Sequence, residues 1–354
     1  MAPPSQLGDS FGWLFRRLLI KKPLKTELHH WWPRALAEAW ADSEGMVSVL
    51  RPSGEVRRAP PGAYGAITNA HRIKMGGPWD SSFESIFNEP DSQMADFIGW
   101  LSSLQTPPAG HDRAIVDRIA AQFLPPERLG QIARITASLL ARSPRVRNEI
   151  RITTEYYRRR SGLKDPKASK TLIAANQSGL YDAYFHYMQS GGRWSILFTD
   201  GKEFIAGDGF FHNFPARQDG LNSGRKLVVP IIPTAAIVYL SPTNYPAEPK
   251  LVTLSLHAEE VSELNYTTQV YAKDFIFYRA QRPELFEDFK VGNYLKFKSN
   301  SHTTIDILFD HLSQYCLWGK GGTPVIAQAR PFTESSKGDR WLENLRSSRI
   351  APDD

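Results

Sequence analysis

One change in pattern limits what this chain can fold into. From about Asp80 to Arg160 the apolar residues recur at helical spacing, as in "RITASLLARSPRVRNEI". Near Arg193 the period drops to two, and "RWSILFTD", "KEFIAGDGFF" and "KLVVPIIPTAAIVYLS" read as strands. Helices gathered in one part of a chain and strands in another predict an α+β fold with a mainly antiparallel sheet. A β-hairpin stands ahead of the helical region, because Val47 and Val49 alternate in front of the turn signal "PSGE".

Smaller signals fill in this outline. Pro33 suits the first turn of a short helix, "PRALAEAWADSEG", with Leu36 and Trp40 on one face and Gly45 as its stop. That helix has few other large apolar anchors, so Trp32 and Trp40 should be buried. Pro90 should kink or split the helix in "WDSSFESIFNEPDSQMADFIGWLSSL", and Pro144 should interrupt the next. "HDRAIVDRIAAQFL" continues the helical pattern, "SGLKDPKASK" reads as a loop, and "NQSGLYDAYFHYMQSG" reads as a helix. Pro230 and Pro233 predict an edge strand or a break. "HAEEVSELNYTTQVYAKDFIFYRAQ" returns to helix. These signals divide the chain into a basic N-terminal segment (1–27), one α+β domain (28–290) and a polar C-terminal extension (291–354). Within the domain the helical part covers about 80–160 and the sheet part about 193–257.

No apolar run approaches the roughly 20 residues of a membrane helix. "FGWLFRRLLIKK" is too short and carries Arg16 and Arg17, and no signal-peptide pattern follows it. It suits a terminal helix packed on its own core, or an amphipathic helix on a membrane surface or partner. Cys316 is the single cysteine, which excludes an intrachain disulfide and fits a reducing, cytoplasmic setting. Its apolar neighbours point to a buried, inert thiol.

The charge is uneven. Between Arg142 and Lys170 ten Arg or Lys residues face three acids, +7 of a whole-chain total of +6. A second basic cluster runs from Arg16 to Lys25. Such clustering is the footprint of a phosphate-bearing partner, although solvated helix faces also carry charge runs. Arg142 and Arg145 are candidates for phosphate binding, and Arg158, Arg159 and Arg160 for nucleic-acid binding.

No two-histidine helix motif, P-loop, dinucleotide fingerprint or nucleophile elbow is present. The remaining candidates are dispersed. His29 and His30 precede the helix that Pro33 opens. In an extended segment their side chains point to opposite faces, so one of the two should face a site and His30 is the expected one. The helix N-terminus beside them offers N–H groups to an anion. Asp208, between glycines just past a strand, has the setting of a site carboxylate and also of an ordinary turn residue. Glu84 and Glu89 flank the apolar face of the Pro90 helix, and either could supply a second carboxylate.

The segments "LHHWWPRALAEAW", "NAHRIK", "FESIFNEPDSQM", "RITASLLARSPRVRNEI", "RWSILFTDGKEFIAGDGFF", "VVPIIPTAAIVYL" and "ELNYTTQVYAKDFIFYRA" occur in that order. In this order the chain, from about Leu28 to Ala280, resembles the bacterial domain-of-unknown-function 4238 family. It departs from the family where Gly207-Asp208-Gly209-Phe210 replaces Ser-Asp-Asn-Pro, and where Trp31 and Trp32 replace the more usual Tyr-Val. The resemblance implies an ordered set of positions, His29, His30, Glu84, Arg142, Asp208 and Asn265, and no established activity.

Together these features favour a phosphodiester-cleaving, nuclease-like effector acting on RNA or DNA in bacterial antiviral defence. Arg142 and Arg145 would hold the phosphate. His29, His30, Glu84, Asp208 and Asn265 would form the catalytic set. His30, Glu84 and Asp208 would bind a divalent metal ion, magnesium or manganese in preference to zinc. The alternative is a non-catalytic nucleic-acid- or protein-binding module.

Overall fold

The computed structural model describes residues 28–73, 81–82, 84–110, 113–162, 166–212, 225–241, 249–298, 308–309, 311–312 and 328–331. The expectations for the N-terminal helix, its basic cluster and Cys316 lie outside them. The fold is α+β with mainly antiparallel sheets, as the change of period predicts.

The chain enters through β1 (Leu28–His30), followed by α1 (Arg34–Ala39). β2 (Val47–Leu50) and β3 (Val56–Ala59) form the expected hairpin, with Val47 opposite Ala59 and Leu50 opposite Val56. β4 (Ala66–Thr68) returns to pair with β1, and β5 (Arg72–Ile73) pairs with β6 (Ser81–Ser82). A 3-10 turn at Glu84–Phe87 leads into α2 (Asn88–Ser92) and α3 (Met94–Leu101). The break between these helices falls at Gln93, just past Pro90.

"HDRAIVDRIAAQFL" departs from its helical reading. A 3-10 turn at Ile115–Arg118 gives way to β7 (Ile119–Gln122), because pairing with a late strand supplies its backbone partners. α4 (Pro126–Arg142) and α5 (Pro144–Arg160) meet at Ser143, which caps α5 by accepting Val146 N–H at 3.3 Å. Pro144 thus starts a helix, at a position where no N–H is needed. α6 (Pro166–Ser190) begins within the stretch that reads as a loop, again on a proline.

β8 (Arg193–Thr199), β9 (Ala206–Gly207), β10 (Phe211–His212), β11 (Arg225–Ile232), β12 (Ala235–Ser241) and β13 (Leu251–Leu256) follow. The large sheet has the order β10-β11-β12-β8-β13-β7, antiparallel except for the β8–β13 pair. β12 and β13 are buried at nearly every position. Both faces of the sheet are covered, which is why these strands are continuous apolar runs. Pro230 lies in β11 opposite Ala236, and the β11–β12 register shifts between Pro230 and Ile232, the irregularity a proline inside a strand predicts.

α7 (Ala258–Tyr271) then ends earlier than its pattern suggests, and β14 (Ile276–Tyr278) forms the sheet β3-β2-β14-β9. α8 (Glu287–Lys290), β15 (Leu295–Lys298) and β16 (Gln328–Pro331) complete the described chain. The C-terminal region is more than a polar extension, because Leu295, Leu308, Phe309 and Leu312 belong to the main core. That core also holds Trp32 and Trp40, both buried as expected. Trp40 further donates its indole N–H to Ile231 O at 2.8 Å, fixing α1 against β11. α4 is buried almost all round and acts as the central helix of the fold.

Candidate functional site

Three chain segments converge on one buried polar group. β1 pairs with β4 so that His29 lies opposite Ile67. A turn follows β4, where Asn69 takes φ +54°, and among the described residues it is the only non-glycine with a positive φ. This turn delivers His71 beside His29. The β5–β6 pairing sets Arg72 opposite Ser82, so Glu84 returns to the same end of the ribbon as His71.

His71 donates its backbone N–H to His29 Nδ1 at 2.7 Å. The two imidazoles stack nearly parallel, 5.0 Å between centroids. His71 Nδ1 is hydrogen bonded to a Glu84 carboxylate oxygen. Both histidines are buried, whereas the Glu84 side chain is 30% exposed and forms the solvent side of the group. Burial holds His71 below the usual histidine range, against the opposing pull of Glu84. Burial is the largest influence on Glu84 and works to raise it, but the His71 hydrogen bond together with the charges of His71, His29 and Arg142 makes the net shift downward. The pair is therefore a neutral imidazole donating to a carboxylate, not an ion pair.

These bonds fix both tautomers. With its proton on Nδ1 and directed at Glu84, His71 carries its lone pair on Nε2. His29 uses its lone pair at Nδ1 to accept an amide, so its proton is on Nε2. One ligand atom from each of His29, His71 and Glu84 lies within 4.8 Å of the others, close enough for the group to hold one metal ion.

The surroundings are rigid. The Phe87 ring lies 5.0 Å from the His71 ring and beneath the Arg142 guanidinium, 4.6 Å away. Arg142 forms a bidentate pair with Asp91 at 2.6 and 3.0 Å and donates to His30 O at 3.3 Å. Arg147 donates to Ala70 O at 2.8 Å, next to His71.

The other residues expected at a site fall elsewhere. His30, expected to face the site, is only partly buried, and His29 is the inward member of the pair. The strand alternation holds, but its phase is set by the pairing of β1 with β4. Asp208 lies outside the group that gathers His29, His71 and Glu84. It is fully buried and accepts Lys273 N–H at 2.7 Å, Asp274 N–H at 3.1 Å and the Tyr294 hydroxyl at 3.2 Å. Its flanking glycines serve close packing, since a Cβ on Gly209 would strike Tyr271 O. Asn265 ties α7 to the preceding loop, accepting Ile205 N–H at 3.0 Å and donating to Glu203 O at 2.9 Å. Glu89 pairs with Arg134 at 2.6 Å near the surface.

The phosphate-binding expectation for Arg142 and Arg145 is corrected. Both side chains are buried. Arg145 donates to Tyr271 O at 3.2 Å and Leu295 O at 2.7 Å and lies 4.2 Å from the Tyr271 ring centroid. These two guanidiniums satisfy internal acceptors and do not face solvent. Arg158 is half-buried beside Glu155, while Arg159 and Arg160 are exposed.

His71 is the residue that sequence reasoning missed. The available signal was "NAHRIK", a histidine two residues after an asparagine suited to a left-handed turn. Among the described residues no helix is long and apolar enough to cross a membrane. No family model, curated protein or solved structure matches the chain.

Proposed function

We propose that the protein is a phosphodiester-cleaving enzyme centred on His29, His71 and Glu84, acting on RNA or DNA. The observation that carries this reading is the Glu84–His71 hydrogen bond beneath a second histidine of opposite tautomer. A carboxylate on Nδ1 orients an imidazole and raises the basicity of its Nε2. His71 Nε2 takes the proton of an attacking hydroxyl, from water or a ribose 2′-OH. The new P–O bond then forms as the bond to the leaving oxygen breaks, and the proton held by His71 passes to that oxygen. The Nε2–H of His29 is a donor for the charge that builds on the phosphoryl oxygens. The way in runs along Glu84, the most exposed of the three.

A basic track supports a nucleic-acid substrate. Arg147, Arg151 and Arg158 fall on one stripe of α5 at 3.6-residue periodicity. The stripe starts at Arg147, which is bonded to Ala70 O beside His71, and runs toward exposed Arg159 and Arg160. If an ion occupies the group, its two imidazoles and one carboxylate suit zinc or manganese better than magnesium, which prefers oxygen donors. A cytoplasmic role in antiviral defence extends this proposal, and the family resemblance is kept beside it.

A second reading, a non-catalytic binding module, is favoured by one observation. Arg145, Asp208 and Asn265 direct their hydrogen bonds largely at backbone groups, as architectural residues do. Incubating the purified full chain with labelled RNA and DNA separates the two. Cleavage is expected in wild type, lost in His71→Ala and strongly reduced in Glu84→Gln. Its loss in acid should fall below the usual histidine range, because burial holds the His71 imidazole down. Wild type that binds either polymer without cutting it establishes the binding module. Cleavage retained by His71→Ala removes the proposed centre.

A further inference from the structure

We infer that Arg147 is the anion-holding residue beside the candidate centre, and that its ligand is a phosphodiester group of a nucleic-acid strand. The anion site rests on geometry, whereas its place in a cleavage reaction rests on the function proposed above.

Arg142, Arg145 and Arg147 follow one another across the junction of α4 and α5, and only the last lacks an acid. Arg142 has Asp91 at 2.6 Å, and Arg145 has Glu149 at 3.5 Å together with two backbone carbonyls. Arg147 has no carboxylate partner among the described residues. It is half-buried, and its Nη1 donates to Ala70 O at 2.8 Å and to Gln177 Oε1 at 3.1 Å. Both acceptors are neutral, so they fix the guanidinium without cancelling its charge. Gln177 is fully buried and is itself held by donating its amide to Ala141 O at 2.9 Å. Burial pulls Arg147 below the usual arginine range and no neighbouring acid opposes it, yet a guanidinium keeps its proton in proteins. A cation taken partly out of water is costly unless an anion meets it. The fold therefore holds an uncompensated positive charge against the residue that precedes His71.

Its orientation selects the class of ligand. A guanidinium has five N–H groups. The two on Nη1 face Ala70 O and Gln177 Oε1. The opposite edge, formed by Nε and Nη2, has no acceptor among the described residues. That edge presents two parallel N–H groups, which match two oxygens of one tetrahedral phosphate. Arg151 and Arg158 continue the same stripe of α5, and a row of cations suits a polymer that repeats its anion. The phosphate contact that the sequence suggests for Arg142 and Arg145 thus falls to Arg147, the neighbour whose charge the fold leaves unmet.

Two measurements on the full chain test the inference. In the first, wild type is treated with phenylglyoxal, which modifies accessible guanidiniums, and the labelled arginines are mapped by mass spectrometry. Inorganic phosphate should protect Arg147 in a saturable way. A phosphorothioate oligonucleotide, which resists cleavage, should protect it at a far lower phosphate concentration. Absence of protection by either probe overturns the site, whatever the activity. Equal protection per phosphate assigns the site to a free anion and overturns the nucleic-acid ligand. This readout needs no variant, so it stands even where a substitution unfolds the chain. In the second, binding of the same oligonucleotide is measured for variants that circular dichroism shows to be folded. Arg147→Met should weaken it about 10- to 100-fold, the range for losing hydrogen bonds from a charged donor. Arg147→Lys should recover only part of this, because an ammonium keeps the charge without the paired donors. A folded Arg147→Met that binds as wild type does overturns the inference. An oligonucleotide that protects Arg147 in a chain that cleaves neither RNA nor DNA overturns the proposed function and keeps the anion site.

Discussion

Replacing Asp208 tests whether a carboxylate with a site-like sequence setting is an architectural staple. Three donors converge on its two oxygens, two of them backbone N–H groups at 2.7 and 3.1 Å and one the Tyr294 hydroxyl at 3.2 Å. Asp208→Ala leaves all three without that acceptor. A buried donor left unsatisfied costs about 1–3 kcal/mol, and neighbours in one network do not add fully. A loss of about 2–4 kcal/mol at pH 5 is therefore expected, read from the urea midpoint at constant slope. Domains of this kind have about 5–15 kcal/mol in total, so the effect is large.

The pH dependence sharpens the test. Burial raises the Asp208 carboxyl from its ordinary 3.8 to about 6, against the opposing hydrogen bond from Lys273 N–H. The folded value lies above the unfolded one. The stabilisation from the protonated form is thus complete below the unfolded value and lost as pH rises through about 6. The gap between the two values is worth about 3 kcal/mol. Asp208→Asn does not titrate, so the margin of wild type over this variant should shrink by about 2.4 kcal/mol from pH 4 to pH 7. A margin that grows with pH would refute the reasoning, as would an Asp208→Ala protein within about 0.5 kcal/mol of wild type.

Three further outcomes are expected. Trp40→Ala should cost about 3–5 kcal/mol by emptying a fully buried site, and Trp40→Phe about 1–3 kcal/mol because Ile231 O loses its indole donor; chemical denaturation checks both. In Glu84→Gln the change in stability should vanish in acid, because Glu84 is held below its ordinary 4.5 and its contribution is lost as pH falls through that lowered value; urea midpoints across a pH series read this. Reversing Arg158, Arg159 and Arg160 to Glu should weaken binding to all nucleic-acid sequences alike and flatten its salt dependence by up to about three phosphate contacts. A salt slope unchanged in that variant places the partner on another surface.

The parts of the fold that sequence made legible are those whose cause is local. The "PSGE" hairpin forms in its expected place, and Pro144 with Ser143 marks a helix start where periodicity shows an interruption. β7 and β14 were read as helix because their strand state comes from distant partners, Leu251–Leu254 and Val49 with its neighbours. The alternation rule correctly separates His29 from His30, but the choice between them depends on pairing with Ala66–Thr68, far along the chain. Counting charge treats every arginine as solvent-facing, whereas α4 is buried all round and takes Arg142 inward with it. His71 is joined to His29 across 42 residues, a separation that no local pattern announces.

This difference also sorts the candidates chemically. Asp208 and Asn265 look like site residues in sequence because polar groups beside glycines or on helices suit either task. Their main partners turn out to be backbone groups, which do not titrate and hold a fixed orientation. A carboxylate so engaged sets the path of the chain. Glu84 instead meets an imidazole nitrogen, and that nitrogen belongs to a ring stacked on a second imidazole. A carboxylate in that position governs where a proton resides, and moving it changes the lone pair available on the far side of the ring. Of these two buried polar clusters, the His29–His71–Glu84 group is the one that sets a carboxylate directly against an imidazole nitrogen.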